Sequence, residues 1–170
     1  TGPNGVNTKV EAEYDSFGRL VKLIRPGDDS ASPTLSIAYS SGAPFTTTLT
    51  QKIQNGQFYT ATRVYDGLGR PTSATAGGTT TLFDYETVSI NNHLYRQDKV
   101  STPFASGESY FWATTMYDGL GRPLLSTSPD GTTSSFLYDG FESTDTDGNG
   151  NVTRTTTDIL GLTRFVDAPT

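Results

Sequence analysis

Residues 145–150, Asp-Thr-Asp-Gly-Asn-Gly, are the part of this sequence best suited to bind a metal ion. Asp145, Asp147 and Asn149 stand at alternate positions before a glycine, as in the first half of a calcium-binding loop. The twelfth position of such a loop is Thr156 instead of glutamate, so the bidentate ligand is missing. The same letters also fit an ordinary Asp-x-x-Gly-Asn turn. The sequence therefore leaves two interpretations open, a calcium site and a hairpin turn.

The residues that could support catalysis are few. His93 is the single histidine and directly follows an Asn-Asn pair in a predicted hairpin turn. Serines are abundant, but no Gly-x-Ser-x-Gly elbow accompanies them to favour a Ser-His-Asp site. Two carboxylates among Asp84, Glu86 and Glu108 would be the pair that glycoside hydrolysis needs, yet their spacing gives no reason for two of them to meet. We predict exposed polar side chains at these positions and no enzymatic activity.

The densest aromatic cluster is Tyr110-Phe111-Trp112. In a β-strand, Tyr110 and Trp112 would share one face and Phe111 would take the other. Such a pair of rings predicts either a platform on which a sugar stacks or ordinary packing within a sheet. Sheet packing is favoured, because successive strands need large side chains to cover one another.

Composition limits the class of protein. The chain has 170 residues, of which 33% are hydrophobic and 11% aromatic, with 18 glycines and 9 prolines, as in a turn-rich β protein. The net charge is −6 and no Lys/Arg cluster occurs, which argues against nucleic acid and anionic membranes as partners. Without cysteine there is no disulfide, thiolate metal site or cysteine nucleophile. No apolar run approaches the ~18 residues of a membrane-inserted helix.

A seven-residue motif organises the chain. Residues 65–71 read Tyr-Asp-Gly-Leu-Gly-Arg-Pro, and residues 117–123 repeat these letters without change. A looser copy occupies residues 14–20, and a decayed copy occupies residues 157–161. The tyrosines of the first three copies are 65 − 14 = 51 and 117 − 65 = 52 residues apart. Such self-similarity at a fixed period is typical of a repeat protein.

The motif has the chemistry of a β-hairpin turn. Asp66 and Gly69 stand at the first and fourth positions of a type I turn, where Asp and Gly are favoured. Gly69 can adopt a positive φ, which suits a type I turn followed by a bulge. In that register Asp66 lies opposite Arg70 and forms a charge pair. If the turn closes one residue further out, Tyr65 lies opposite Arg70 and a cation–π contact forms instead.

Matched turn signals predict the fold class. Each repeat carries four turns, so we expect an all-β fold of repeated antiparallel β-hairpins, with roughly a dozen strands of 5–9 residues in one continuous sheet that coils. Residues 142–151 are predicted as a long polar loop, and both outer strands as open edges. We treat residues 1–170 as one β-repeat fragment of a longer chain, with units 14–64, 65–116 and 117–156 and a final hairpin at 157–170.

The motif resembles that of the YD-repeat family, also called Rhs (rearrangement hotspot) repeats. Residues 129–133 and 147–154 are similar to the turns that separate the motifs in that family, so the resemblance covers nearly the whole chain. The spacing near 51 residues is longer than in simple arrays of the family, which extra hairpins between motifs would explain. The matching positions are Tyr14, Asp15, Gly18 and Arg19; Tyr65, Asp66, Gly69 and Arg70; and Tyr117, Asp118, Gly121 and Arg122.

The resemblance implies a function. Members of the family are large secreted or surface proteins, whose repeats in bacterial toxins form a spiralling β-sheet shell around a toxic domain, and related repeats occur in adhesion receptors. We therefore expect an extracellular bacterial protein whose partners are neighbouring repeats of its own chain and an enclosed polypeptide cargo. The alternative is an adhesin-like module that binds glycans or a surface receptor. The family's self-cleaving aspartate region has no counterpart here, so no catalytic residue is implied.

Overall fold

A computed structural model describes residues 8–168, and in this range the chain is all-β apart from one 3-10 turn at Gln54–Gly56. The strands are β1 (Glu11–Tyr14), β2 (Leu20–Ile24), β3 (Leu35–Tyr39), β4 (Phe45–Lys52), β5 (Phe58–Tyr65), β6 (Pro71–Ala76), β7 (Thr79–Ile90), β8 (His93–Ser101), β9 (Phe104–Ala105), β10 (Trp112–Tyr117), β11 (Pro123–Thr127), β12 (Thr133–Asp139), β13 (Glu142–Thr146), β14 (Val152–Thr157) and β15 (Thr163–Asp167).

The strands form one open antiparallel sheet. Each strand pairs with the next along the chain, except that the two-residue β9 pairs with the start of β7 and leaves β10 to pair with β8. Among the described residues, β1 and β15 each have a neighbour on one side only, so the sheet does not close. The predicted all-β fold of antiparallel hairpins is confirmed.

The chain divides into two compact units. The first holds the described residues up to Leu82 together with Pro103–Glu108, and the second holds Phe83–Thr102 and the described residues from Ser109 onward. The first unit therefore contains β1–β6, the start of β7 and β9, and the second contains the rest of β7, β8 and β10–β15. The division into repeats at 14–64, 65–116 and 117–156 stays a prediction from the sequence.

Four strands of five or more residues lie between successive motifs, which is the number that the turn signals predicted. Strands β2–β5 lie between the first and second motifs, and β11–β14 lie between the third motif and its decayed copy at residues 157–161. The middle interval holds β6, β7, β8 and β10, with the short β9 added. The hairpin turns at Asn55-Gly56 and Asn91-Asn92 are also present, each with two successive residues at positive φ.

The predicted loop over residues 142–151 is wrong. Residues 142–146 form β13, which pairs with β12 on one side and β14 on the other, so the turn shrinks to residues 147–150. The polar composition resembles a loop, but Thr144 and Thr146 are β-branched and fit a pleated strand well. Ladder hydrogen bonds to two neighbours outweigh the lack of apolar side chains here.

The sheet has almost no core. Among the described residues, only Ile24 and Ser101 are buried, each 3% exposed. Every other described strand residue is half-buried or exposed, and no α-helix occurs among the described residues to cover a face of the sheet. No helix in the described part of the chain is long and apolar enough to cross a membrane.

The two faces of the sheet carry different side chains. Successive strand residues point to opposite faces. In the first compact unit, Thr48 of β4 is in register with Thr62 of β5, and Thr75 of β6 with Thr80 of β7. The hydroxyl oxygens of these two pairs are 3.4 Å and 3.0 Å apart. One face of this unit therefore presents rows of hydroxyl groups, whereas the opposite face carries Leu49 of β4.

Candidate functional site

The motif at residues 65–71 forms a type I turn followed by a bulge. The Gly69 amide donates to the Asp66 carbonyl oxygen at 3.0 Å, and the Asp66 amide donates to the Arg70 carbonyl oxygen at 2.9 Å. Gly69 has a φ of 78°, and the pairing register shifts between Val64 and Tyr65. Of the two registers left open by the sequence, the one with Asp66 opposite Arg70 is found.

The Asp66 carboxylate is the centre of this turn. Its Oδ1 accepts hydrogen bonds from the amides of Leu68 and Arg70, both at 2.9 Å, and its Oδ2 accepts one from Arg70 Nε at 2.8 Å. The backbone hydrogen bond from Arg70 is the largest cause of a lowered pKa of Asp66, and it outweighs the opposing effect of burial. The ionised carboxylate thus joins the two strands at their ends.

The same arrangement occurs five times among the described residues, and we call these five the aspartate turns. Each places a glycine with positive φ three residues after its aspartate. In the fourth copy Asn151 takes the place of the arginine, and its Nδ2 lies 2.8 Å from Asp147 Oδ2. In the fifth copy the arginine stands two positions later, and Arg164 Nη2 lies 2.7 Å from Asp158 Oδ2. The aspartates are Asp15, Asp66, Asp118, Asp147 and Asp158.

Two of the three predicted calcium ligands, Asp147 and Asn149, lie in one of these turns. Asp147 Oδ1 accepts from the amides of Asn149 and Asn151 at 2.9 Å, and Asp147 Oδ2 accepts from Asn151 Nδ2. Asp145 lies in β13, opposite Phe136. Within residues 8–168 no three His, Cys, Asp or Glu side chains are grouped as a metal site requires. The hairpin turn is therefore formed, and calcium binding, which would displace its amide donors, stays a prediction.

The arginines of two aspartate turns stack on tyrosines of a neighbouring strand. The Arg19 guanidinium lies 4.0 Å from the ring centre of Tyr39, and that of Arg122 lies 4.3 Å from the ring centre of Tyr138. The motif tyrosine Tyr117 is covered in turn by Arg96 of β8, at 4.1 Å. Each such contact is a cation–π interaction that fixes one hairpin against the next strand.

The cation–π contacts of Tyr39, Tyr138 and Arg96 were not predicted from the sequence. The motif itself placed its tyrosine and arginine side by side, so it favoured a contact within one hairpin. The observed partners depend on the register of the following strands, which no local pattern reveals. The one available signal was a tyrosine at the end of a predicted strand after each motif.

The residues considered for catalysis have structural partners instead. Lys99 Nζ lies 2.6 Å from Glu86 Oε1 and 3.7 Å from Asp84 Oδ2, and the hydrogen bond that Lys99 donates to Glu86 is the main reason why the pKa of Lys99 is raised. Glu108 Oε2 accepts a hydrogen bond from the Ala105 amide at 2.8 Å. His93 is exposed at the start of β8. The absence of enzymatic activity stays a prediction.

The aromatic cluster forms a compact ring pair. The ring centres of Tyr110 and Trp112 are 5.6 Å apart, and the ring planes meet at 88°, which is an edge-to-face contact. Strand β10 begins at Trp112, so Tyr110 and Phe111 belong to the preceding connection. Phe111 is 62% exposed. An exposed ring next to a rigid pair is the geometry on which a sugar could stack.

A hollow lies on β4 and β5 in the first compact unit. It measures about 310 Å³ and is lined by Thr47, Leu49, Ala61, Arg63 and Tyr65. These five residues alternate along their two strands and so share one face of the sheet. No carboxylate of the described residues pairs with the exposed Arg63. This hollow was not predicted from the sequence, because it depends on the small Ala61 lying opposite Leu49 in the strand register.

The fold and the turns define a class of protein, an all-β protein of consecutive antiparallel hairpins with recurring aspartate turns. Neither the protein-family models nor the curated proteins compared with this chain match it. The resemblance to YD repeats therefore rests on the motif residues themselves.

Proposed function

We propose that this chain is a non-catalytic wall segment of a secreted or surface bacterial YD-repeat protein, in which the sheet forms part of a shell or stalk. The observation that carries this proposal is the lack of a core, with only Ile24 and Ser101 buried among the described residues. A free-standing domain of this size normally buries most of the surface that its unfolded chain exposes. A single-layer sheet instead suits a wall whose faces meet two different surroundings.

Two further features support a wall. Strands twist with a fixed hand, so a long sheet of consecutive hairpins coils and can surround a space. The aspartate turns hold the hairpin ends with charge-assisted hydrogen bonds, which makes such a sheet stiff at modest apolar content. Neighbouring repeats of the same chain would pair with the open edges of β1 and β15, and a cargo polypeptide would lie against one face.

Cysteine labelling tests the wall. Residues 1–170 contain no cysteine, so Thr47→Cys or Thr48→Cys places one thiol in this segment, and any cysteine elsewhere in the parent protein is first replaced by serine. These successive residues of β4 are both half-buried and point to opposite faces. In the full-length parent protein, we expect a maleimide to label one thiol several-fold more slowly than the other, and both equally in urea. Equal labelling of the folded parent would refute an enclosing wall.

The second candidate is an adhesin-like module that binds glycans, favoured by the exposed Phe111 beside the Tyr110–Trp112 pair. Trp112 is the only tryptophan, so fluorescence reports this position alone. Binding at the ring pair predicts a saturable change in fluorescence on adding the sugar, weakened in a Phe111→Ser variant. A glycan array without signal, together with unchanged fluorescence, would remove this candidate.

A further inference from the structure

The hollow on β4 and β5 forms because small side chains stand beside large ones. On this face of β5 the successive residues are Tyr59, Ala61, Arg63 and Tyr65, so one methyl group lies between larger side chains. The neighbouring β6 offers only alanines, at positions 74 and 76, in register with Arg63 and Ala61. No large side chain of β6 therefore covers the hollow from that side.

The size and lining of the hollow are those of a small ligand site. Its volume of about 310 Å³ is at the lower end of the range for ligand pockets. Leu49, Ala61 and the ring of Tyr65 provide apolar surface, and Thr47 and Arg63 provide polar groups. Apolar walls with a few polar groups that fix orientation are typical of sites for small molecules.

Arg63 differs from most arginines of this chain because its charge has no partner. Its guanidinium forms no ion pair, hydrogen bond or cation–π contact with any residue in the described range 8–168. In contrast, five other arginines each lie within 3.2 Å of a carboxylate oxygen: Arg19, Arg70, Arg96, Arg122 and Arg164.

The surrounding face supplies no counter-charge to Arg63. Register places on this face residues 35, 37 and 39 of β3, the odd-numbered residues 45–51 of β4 and 59–65 of β5, and residues 74 and 76 of β6. Among these positions Arg63 is the only Asp, Glu, Lys or Arg. A single cation on an otherwise uncharged face, within a chain of net charge −6, is complementary to one negative charge on a ligand.

The chemistry of the hollow selects a class of ligand. One guanidinium binds one carboxylate through two parallel N–H···O hydrogen bonds, which also fix its orientation. A polyanion would need further cations, and this face has none. Beside the guanidinium, Leu49, Ala61 and Tyr65 offer an apolar surface suited to a flat hydrocarbon or aromatic group. The matching ligand is therefore a monocarboxylate that carries such a group.

We propose that the hollow is a binding site for a small monocarboxylate with a flat apolar body. The carboxylate pairs with Arg63, and the body lies against Leu49, Ala61 and Tyr65. This inference does not rest on the wall proposal, because a hollow within one compact unit binds a small ligand whether or not the sheet encloses a cargo.

Titration with phenylacetate tests the site. Nuclear magnetic resonance of the isotope-labelled 170-residue chain should show saturable shifts of the backbone amide signals of residues 47–49 and 61–65. Phenylacetamide keeps the ring but lacks the charge, so it should bind about tenfold more weakly. Acetate keeps the charge but lacks the ring, and it should also bind about tenfold more weakly, since the apolar contact is lost.

Substitutions assign the binding to the hollow. Arg63→Gln should weaken phenylacetate binding about tenfold or more, and Ala61→Leu, which fills the hollow, should abolish it. The matched control is Arg154→Gln, which removes the same charge from an exposed position in the second compact unit. It should bind like the unchanged chain. Arg63 and Arg154 are both exposed, so these two variants should melt at nearly the same temperature as the unchanged chain, which separates lost binding from misfolding.

Four results would overturn the proposal. The first is the absence of saturable shifts with phenylacetate. The second is equal binding of phenylacetate and phenylacetamide, which would make the hollow merely apolar. The third is an Arg154→Gln variant that loses as much affinity as Arg63→Gln. The fourth is a capped peptide, acetyl-Phe-Glu-Phe-amide, that binds at the same amides about tenfold more tightly than phenylacetate, which would assign the hollow to a polypeptide instead.

Discussion

Each aspartate turn depends on a single carboxylate that bonds to the backbone and side chain of the strand it faces. The Asp118 carboxylate, like that of Asp66, accepts three hydrogen bonds of 2.8–2.9 Å. The donors are the amides of Leu120 and Arg122 and the Nε of Arg122. The glycine that follows three residues later supplies the positive φ that closes the bulge. Aspartate and glycine are therefore the residues of the motif on which the turn depends most directly.

The glycine contribution can be separated from that of its neighbour. Gly69 has a φ of 78°, whereas Gly67 has no positive φ, and an added Cβ at either position meets nothing within 4 Å. Gly69→Ala should therefore destabilise the chain by about 1 kcal/mol or more, through backbone strain alone. Gly67→Ala should be neutral or slightly stabilising. Thermal and urea unfolding measure both, and equal effects would contradict the turn.

The carboxylates make stability depend on pH. The pKa of Asp118 is lowered chiefly by the backbone hydrogen bond from Arg122, and that of Asp147 chiefly by the side chain of Asn151. A pKa lowered by folding stabilises the protein above the unfolded value, about 3.9 for aspartate, and the gain is lost as pH falls through the folded value. The melting temperature should therefore be steady near neutral pH and fall below about pH 4.

Substitution shows whether these carboxylates cause the acid-induced loss. Asp66→Asn and Asp118→Asn should each lower the melting temperature at neutral pH and reduce its fall between neutral and acid pH. The two aspartates lie in different compact units and share no partner, so their effects should add in the double variant. An unchanged acid slope in both single variants would assign the loss to other groups.

At the scale of elements, neighbouring turns pack against one another as well as closing their own hairpins. A Cβ added to Gly148 of the fourth aspartate turn would overlap Thr132 Cγ2, whereas the equivalent Gly119 of the third turn faces open space. The connection between β13 and β14 therefore lies close to the start of β12. This contact helps to explain why residues 142–146 form a strand.

A pair of alanine substitutions tests this turn-to-turn contact. Gly148→Ala should destabilise the chain because the new methyl group clashes with Thr132, and Gly119→Ala at the same turn position should not. Thr132→Ser removes the clashing methyl group, so it should restore most of the stability lost in Gly148→Ala. Thermal melting of the three single variants and the double variant measures this, and a missing rescue would place the close contact elsewhere.

For the whole molecule, the lack of a core has the largest consequence. Only two of the described residues are buried, so the single-layer sheet must obtain its stability from ladder hydrogen bonds, half-buried side chains and its turns. This lack of a core is the observation behind the proposal of a wall that is covered on at least one face.

The sequence predicted local features well and distant contacts poorly. The turn geometry at Asp66 and the hairpin at Asn91-Asn92 depend on four or five consecutive residues, whose preferences are intrinsic to the backbone. Strand β13 was missed because its polar composition is typical of a loop. The sequence does not show that β12 and β14 pair with it on both sides. The stacking of Arg122 on Tyr138 was missed because it depends on the register between two strands.

By itself the sequence determined the repeat, the all-β fold and the Asp–Gly chemistry of the turns, because each is encoded within a few neighbouring residues. Only the tertiary structure decided which of the two turn registers forms, which tyrosine each arginine covers, and that the described strands form a sheet that does not close. The physical reason is that strand register and direction place residues together across distances that local preference does not specify.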